Sequence, residues 1–146
     1  MTSFAQFVAE QDAKNTTYLN VLKWSYMLCD ALVQNYHDYA IRGHQRLIDK
    51  GESVEHHKQQ IEKLKQGTSP INYVIESGKK YHKIIMMDGG NSRSVHAFVD
   101  KKTGEVYKSA SWKSPAKGVR YDLRIIEQRE WLFENADWSG GYLYAR

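Results

Sequence analysis

The spacing of apolar residues changes once along this chain of 146 residues, and that change limits the fold more than any other feature. Residues 1–67 place apolar side chains three or four positions apart, which is typical of helices. After Thr68-Ser69-Pro70, short runs rich in β-branched and aromatic residues alternate with turn-forming residues, as strands do. We therefore predict a single α+β domain over residues 1–146, with a helical part (1–67) and a sheet-rich basic part (70–146).

The helical part contains three predicted helices. Ser3 is an N-cap candidate for a short first helix, and a long helix is predicted over about residues 17–49. Gly51 suits the position after its last turn. Ser53 is the predicted N-cap of a further helix, which runs to about Gln66. The long helix and the helix after it form an N-terminal helical hairpin.

The long helix is apolar on more than one side. One continuous face is formed by Tyr18, Leu22, Tyr26, Cys29, Val33, Tyr36 and Ala40. Other apolar residues widen this face: Leu19, Val21, Trp24, Leu28, Ala31 and Leu32. A helix that is apolar on several sides must be covered on several sides, so we expect a homo-oligomer formed through the N-terminal helices. We expect Cys29 to be a buried, unreactive thiol.

The sheet-rich part contains consecutive strands joined by short turns. The predicted strands are residues 71–76, 81–86, 94–99 and 105–108. They predict an antiparallel meander of four or five strands, on which the helical hairpin packs. Residues 109–120 form a predicted loop, and Asp122 caps a helix near the C-terminus. The aromatic segment 136–144 is expected to form a turn and a short strand, and to pack on the sheet or on another subunit.

Positive charge is concentrated in one segment. The chain has 21 Lys and Arg against 17 Asp and Glu, a net charge of +4. Residues 1–67 hold eight of each kind, whereas residues 79–124 hold eleven Lys and Arg against four Asp and Glu. A basic surface concentrates anionic partners, while a solubilising surface is the alternative explanation.

The basic segment interleaves cations with aromatic rings, as a surface for single-stranded nucleic acid requires. The candidate phosphate-binding residues lie on predicted turns and loops: Arg93, Lys101, Lys102, Lys108, Lys113, Lys117 and Arg120. The candidate stacking residues are Tyr107, Trp112 and Tyr121. The alternative is that these rings form the core and the lysines are solvated sheet edges. We predict a non-enzymatic protein that binds a phosphate-bearing ligand, nucleic acid in preference to a small nucleotide.

Three segments carry a resemblance to a known group of proteins: Val95–Lys108, Trp112–Tyr121 and Ala136–Tyr144. Over about residues 93–144 the chain resembles a family of small, uncharacterised proteins of tailed bacteriophages. The resemblance implies a phage origin. It brings no activity, cofactor or catalytic residue with it. The single cysteine, together with the lack of a signal peptide and of a bilayer-spanning apolar run, predicts a cytoplasmic location, which for a phage protein is the host cytoplasm.

Two other functions fit the same composition. An oligomeric sponge that sequesters a cyclic-nucleotide defence signal would also need cationic pockets and stacking rings. A protein-binding inhibitor of a host enzyme, or a minor virion component, would use the aromatic segment 138–144 as an anchor, because Trp and Tyr dominate interface hot spots. The three hypotheses differ in the ligand that each protein would retain.

Catalytic, metal and membrane functions have little support in the sequence. Acid–base pairs can be drawn between His96 and Asp88 or Asp100, and between His82 and Ser92 or Ser94, but no catalytic motif accompanies them. Strand alternation predicts that His96, Phe98 and Asp100 share one face. The other histidines lack a set of ligands for a metal site. We expect no enzyme activity, no cofactor, no membrane span and no signal peptide.

Overall fold

The computed structural model describes residues 3–144, apart from the side chain of residue 12. Three helices and five strands follow one another in chain order: α1 (Phe4–Asp49), α2 (Val54–Lys65), β1 (Ile71–Ser77), β2 (Tyr81–Asp88), β3 (Ser92–Asp100), β4 (Glu105–Lys108), β5 (Tyr121–Asp122) and α3 (Ile126–Asn135). A short 3-10 turn over Gly141–Leu143 follows α3. The predicted α+β class is confirmed, with helices first, a five-stranded antiparallel sheet and a helix near the C-terminus.

The first two predicted helices are one helix of 46 residues. Ser3 caps it as predicted: its hydroxyl accepts a hydrogen bond from the Gln6 N–H, and the Gln6 side chain accepts one from the Ser3 N–H. The prediction of a second start at Thr17 is wrong. The Thr17 hydroxyl instead donates to the carbonyl of Ala13 inside the helix, at 3.1 Å. The polar residues around it interrupt the apolar pattern without breaking the backbone, since none of them is Gly or Pro.

The helical hairpin forms where it was predicted. The helix α1 ends at Asp49 with Lys50 as its C-cap, and Gly51 follows with a φ of 77°, a conformation that favours glycine. Ser53 precedes α2 but makes no side-chain capping bond, because its backbone is itself left-handed, with a φ of 45°. Ile61 and Leu64 bury the apolar side of α2.

The sheet is a meander in which β1 to β5 pair antiparallel in sequence order. Its inner face packs on α1 and shares one hydrophobic core with it. The helix contributes Val21, Leu28 and Leu32, and the sheet contributes Ile84, Ala97, Val99 and Val106. Leu132 of α3 joins the same core. The opposite face of the sheet is called the outer face below.

A β-bulge in β3 overturns the predicted alternation around His96. Ile85 pairs with Val95 and Ile84 pairs with Ala97, so His96 is an extra residue on its strand. The His96 ring contacts the rings of Tyr73 and Tyr142. It therefore lies on the inner side of the sheet, the side that also carries the core residues Ala97 and Val99. His96 therefore does not share a face with Phe98, which lies on the outer face.

The C-terminal segment packs back onto α1 and the sheet. The side chain of Asn35 accepts a hydrogen bond from the Trp138 N–H at 3.0 Å, and the Tyr73 hydroxyl donates to the Trp138 carbonyl at 2.9 Å. Tyr142 is buried, whereas Tyr144 is 70% exposed. Asp122 does not cap α3, which starts four residues later; its carboxylate accepts from the Arg124 N–H instead.

Cys29 is buried as predicted, and burial raises the pKa of its thiol to about 12, with a smaller contribution from Asp30. The thiol is therefore protonated at neutral pH. Within residues 3–144, no helix combines the length and the hydropathy needed to cross a bilayer.

Two histidines are held neutral inside the fold. Burial lowers the pKa of His82 to about 4, and Lys101 contributes in the same direction. Its Nδ1 lies 2.7 Å from the Ser77 hydroxyl, and its buried Nε2 has no hydrogen-bond partner among the described residues. Burial also lowers the pKa of His96 to about 4, against an opposing effect of Asp137.

We expect the free energy of unfolding to fall by a few kcal/mol as the pH drops from about 7 to about 5. Both folded-state pKa values lie below the usual value of 6.5, so the unfolded chain binds protons that the folded chain does not. The contribution of the two neutral histidines to the free energy of unfolding is fully present above pH 6.5 and is lost as the pH falls toward 4. Urea unfolding at several pH values measures the effect. The variant His82→Gln should remove about half of the pH dependence, because His96 still contributes, whereas replacing the exposed His56 by Asn should leave it unchanged; a flat wild-type profile would contradict the assignment.

Candidate nucleic-acid interface

The outer face of the sheet carries cations and aromatic rings in direct register. Lys83, Phe98 and Tyr107 lie opposite one another on β2, β3 and β4. Tyr81, two residues before Lys83 on the same face, has its ring 5.6 Å from that of Phe98 and 6.0 Å from that of Tyr107, measured between centroids. The Lys80 Nζ lies 5.4 Å from the Tyr81 centroid.

The loop after β4 brings Trp112 to this row. Ser109 forms an isolated bridge with Pro115, and the N–H groups of Ala110 and Ser111 both donate to the Ser114 carbonyl. This tight turn presents Trp112 with 42% of its surface exposed. The Lys83 Nζ is 4.7 Å and the Arg93 Cζ is 5.3 Å from its ring centroid, distances at which a cation is attracted to an aromatic face.

We call these residues the cation–aromatic ladder: Arg93, Trp112, Lys83, Phe98, Tyr81 and Lys80. Phe98 is 1% exposed and forms the floor of the ladder, while Trp112 and the half-buried Tyr81 and Tyr107 are the rings that a ligand can reach. Burial, with smaller effects of Glu105, Tyr81 and Asp100, raises the pKa of Tyr107, so its hydroxyl stays neutral. Arg93 also forms an ion pair with Glu76, whose side chain is 50% exposed.

The candidate phosphate-binding residues do not form one continuous surface. Arg93 belongs to the ladder, and Lys113 follows Trp112 in the same exposed turn. Lys101 and Lys102 lie in the β3–β4 turn at one end of the sheet. Lys108 lies on the inner side, where its Nζ is 4.4 Å from the ring centroid of Tyr144. Lys117 is exposed on the long loop.

Arg120 and Tyr121 are used inside the fold, which does not fit the roles predicted for them. The Arg120 Nε donates to the Leu143 carbonyl at 2.7 Å. Tyr121 is 3% exposed; its ring stacks on Trp131 with 5.5 Å between centroids, and its hydroxyl donates to the Tyr142 carbonyl at 2.7 Å. Pairing of β5 with β4 turns this part of the loop toward the core, so both side chains attach the C-terminal segment.

Lys80 and Lys83 were not among the predicted site residues. The period-two spacing of Tyr81 and Lys83 on a predicted strand is a signal that places them on one face. Their proximity to Phe98 and Trp112 depends on the strand register and on the loop, neither of which is local in the sequence.

The two buried histidines do not pair with the Asp and Ser residues that the sequence suggested as acid–base partners. His96 Nε2 lies 2.8 Å from the Tyr142 hydroxyl, and His82 bonds to Ser77. On the hairpin, the Nδ1 atoms of His44 and His57 are 2.7 Å apart. Among the residues that the structure describes, no group of three or more His, Cys, Asp and Glu side chains is arranged to hold a metal ion.

A family model matches residues 4–145, and it describes a family of unknown function, DUF7717. The chain belongs to this family. The match includes the helical half of the chain. No curated protein and no solved structure matches the chain.

We expect Tyr121→Phe to lower the free energy of unfolding by about 1–3 kcal/mol, because it leaves the buried Tyr142 carbonyl without this donor. Chemical denaturation measures the loss. The same variant should bind every ligand of the folded protein as tightly as the wild type does; weaker binding by a fully folded variant would return Tyr121 to the site.

Proposed function

We propose that this protein is a non-enzymatic phage accessory protein that binds single-stranded nucleic acid along the cation–aromatic ladder. The observation that carries the proposal is the position of Trp112, an exposed ring on a tight turn with the cations of Lys83 and Arg93 beside it. The phage origin rests on the resemblance of residues 93–144, and the host cytoplasm as location rests on that origin together with the sequence composition.

Single strands suit this surface better than a duplex does. Unpaired bases expose both faces of their rings, and stacking on an aromatic side chain contributes roughly 1–3 kcal/mol per base. Lys80, Lys83, Arg93 and Lys113 supply positive charge close to the rings that a strand can reach, so phosphates and bases are both accommodated. Such binding depends weakly on base identity and strongly on salt.

Glu76 modulates this surface because its carboxylate is paired with the Arg93 guanidinium. A phosphate that approaches Arg93 must compete with this carboxylate and is repelled by it. The half-exposed pair contributes little to folding, so it is open to exchange with a ligand. Removal of the Glu76 charge should therefore strengthen ligand binding, whereas removal of a cation should weaken it.

We expect Trp112→Ala to weaken binding of an oligothymidylate by roughly 1–3 kcal/mol without changing its salt dependence. Lys83→Gln should weaken binding and reduce the slope of log K against log salt by about 0.7, because one phosphate contact is lost. Glu76→Gln should strengthen binding. Fluorescence anisotropy of a labelled oligonucleotide at several salt concentrations measures all three effects.

Lys63→Gln is the matched control, since it removes the same charge from an exposed position on α2. Equal affinity of Trp112→Ala and the wild type would overturn the proposed interface. Absence of nucleic-acid binding together with capture of a host enzyme would favour the inhibitor instead.

We also propose that the protein is a homo-oligomer formed through α1. One side of α1 carries Tyr26, Val33, His37 and His44, which are spaced by 7, 4 and 7 residues. On this side of the helix, His44 contacts His57 of α2. At 1.5 Å per residue, α2 is about 18 Å long and α1 about 69 Å. Toward the N-terminus the same side carries Phe4, Leu19 and Tyr26, which are 82%, 62% and 53% exposed. A second α1 supplies the cover that α2 is too short to provide.

We expect Leu19→Lys and Tyr26→Lys each to shift the oligomer toward the monomer in sedimentation-velocity experiments, because a charge on this side must be desolvated on association. Gln59→Lys, at an exposed polar position of α2, is the control and should leave the oligomer intact. A wild-type protein that sediments as a monomer at the highest soluble concentration would contradict the oligomer.

A further inference from the structure

A cleft at one end of the sheet brings together cations from three segments of the chain. Its volume is about 440 Å³. Lys14 and Tyr18 line it from α1, Lys101 and Lys102 from the β3–β4 turn, and Arg124 from the connection between β5 and α3. Ala13, Asn15 and Thr17 complete the lining.

Two of the cleft's four cations, Lys101 and Arg124, have their side chains held by other residues. The Lys101 Nζ donates to the Gly78 carbonyl at 2.7 Å, and the Lys101 N–H donates to the Lys80 carbonyl at 3.0 Å. These bonds join the two turns at this end of the sheet. The Arg124 side chain is 47% exposed and lies 3.5 Å from an Asp122 oxygen. Lys14 and Lys102 are exposed.

Tyr18 gives the cleft an aromatic wall. Its ring packs against buried His82 on one side, with 5.8 Å between centroids, and 37% of the residue remains exposed. The Lys101 Nζ lies 5.4 Å from the ring centroid. A planar group stacked on Tyr18 would thus be adjacent to a fixed positive charge.

We propose that this cleft binds a nucleotide that carries two or more phosphate groups. The volume is within the range of small-ligand sites, which is about 300–1,000 Å³. The four cations neutralise a polyphosphate, and Tyr18 stacks on the base, whereas Asn15 and Thr17 offer polar groups to the sugar or the base. The cleft and the ladder share no lining residue, although the Lys101 backbone N–H bonds to the Lys80 carbonyl.

Isothermal titration calorimetry with ATP, tripolyphosphate and adenosine tests the proposal on the full chain. We expect ATP to bind in a ratio of one per protomer and more tightly than tripolyphosphate, and adenosine to bind much more weakly than either. Lys102→Gln and Arg124→Gln should each weaken ATP binding roughly tenfold, as expected for the loss of a charge-assisted hydrogen bond. Tyr18→Leu should reduce the affinity for ATP to that for tripolyphosphate.

Lys113→Gln, in the ladder's loop, is the matched control and should leave ATP binding unchanged, while Lys102→Gln should leave oligothymidylate binding unchanged. Loss of ATP binding at the cleft and loss of oligothymidylate binding at the ladder can therefore be distinguished. No heat of binding with ATP, or ATP binding that is equal in Lys102→Gln and the wild type, would overturn the proposal. Because Lys102 is exposed, this conclusion does not depend on whether Tyr18→Leu folds.

Discussion

The burial of one side of α1 against the inner face of the sheet is the contact on which the rest of the structure depends. Val21, Leu28 and Leu32 are fully buried there, against Ile84, Ala97 and Val99 of the central strands. The helix α1, α3 and the C-terminal segment cover the inner face of the sheet and leave the outer face without a helix. The outer face therefore buries its apolar residues under its own side chains and the loop after β4, and this produces the row of cations and rings proposed as the interface.

The inner side contains polar groups that would destabilise the core if they were charged. His96, Tyr73 and Tyr142 remain neutral because burial lowers the pKa of the histidine and raises the pKa values of the two tyrosines. His96 bonds to the Tyr142 hydroxyl, and the hydroxyls of Tyr73 and Tyr121 donate to backbone carbonyls of the C-terminal segment. Much of the aromatic content of the chain thus attaches this segment to the sheet, which explains why part of the predicted stacking set is inaccessible.

Particular residues show where inference from the sequence reached its limit. The first four strands, to within two residues at each end, and the helical hairpin could be predicted, because apolar spacing and turn residues act over a few positions, whereas the short β5 was missed. The single helix was missed at Thr17, since a polar interruption of the pattern resembles a helix end. The face of His96 was missed because a bulge adds one residue to the strand, and one residue reverses the alternation.

The sequence by itself determined the α+β class, the order of the elements, the buried Cys29 and the excess of positive charge in the C-terminal half. These follow from local periodicity and composition. Only the tertiary structure decided which cations lie together: Lys83 and Arg93 beside Trp112, and Lys14 and Arg124 beside Lys101 and Lys102. The physical reason is that a long-range contact depends on strand register, loop path and helix packing, whereas local propensity is the same wherever the segment lies.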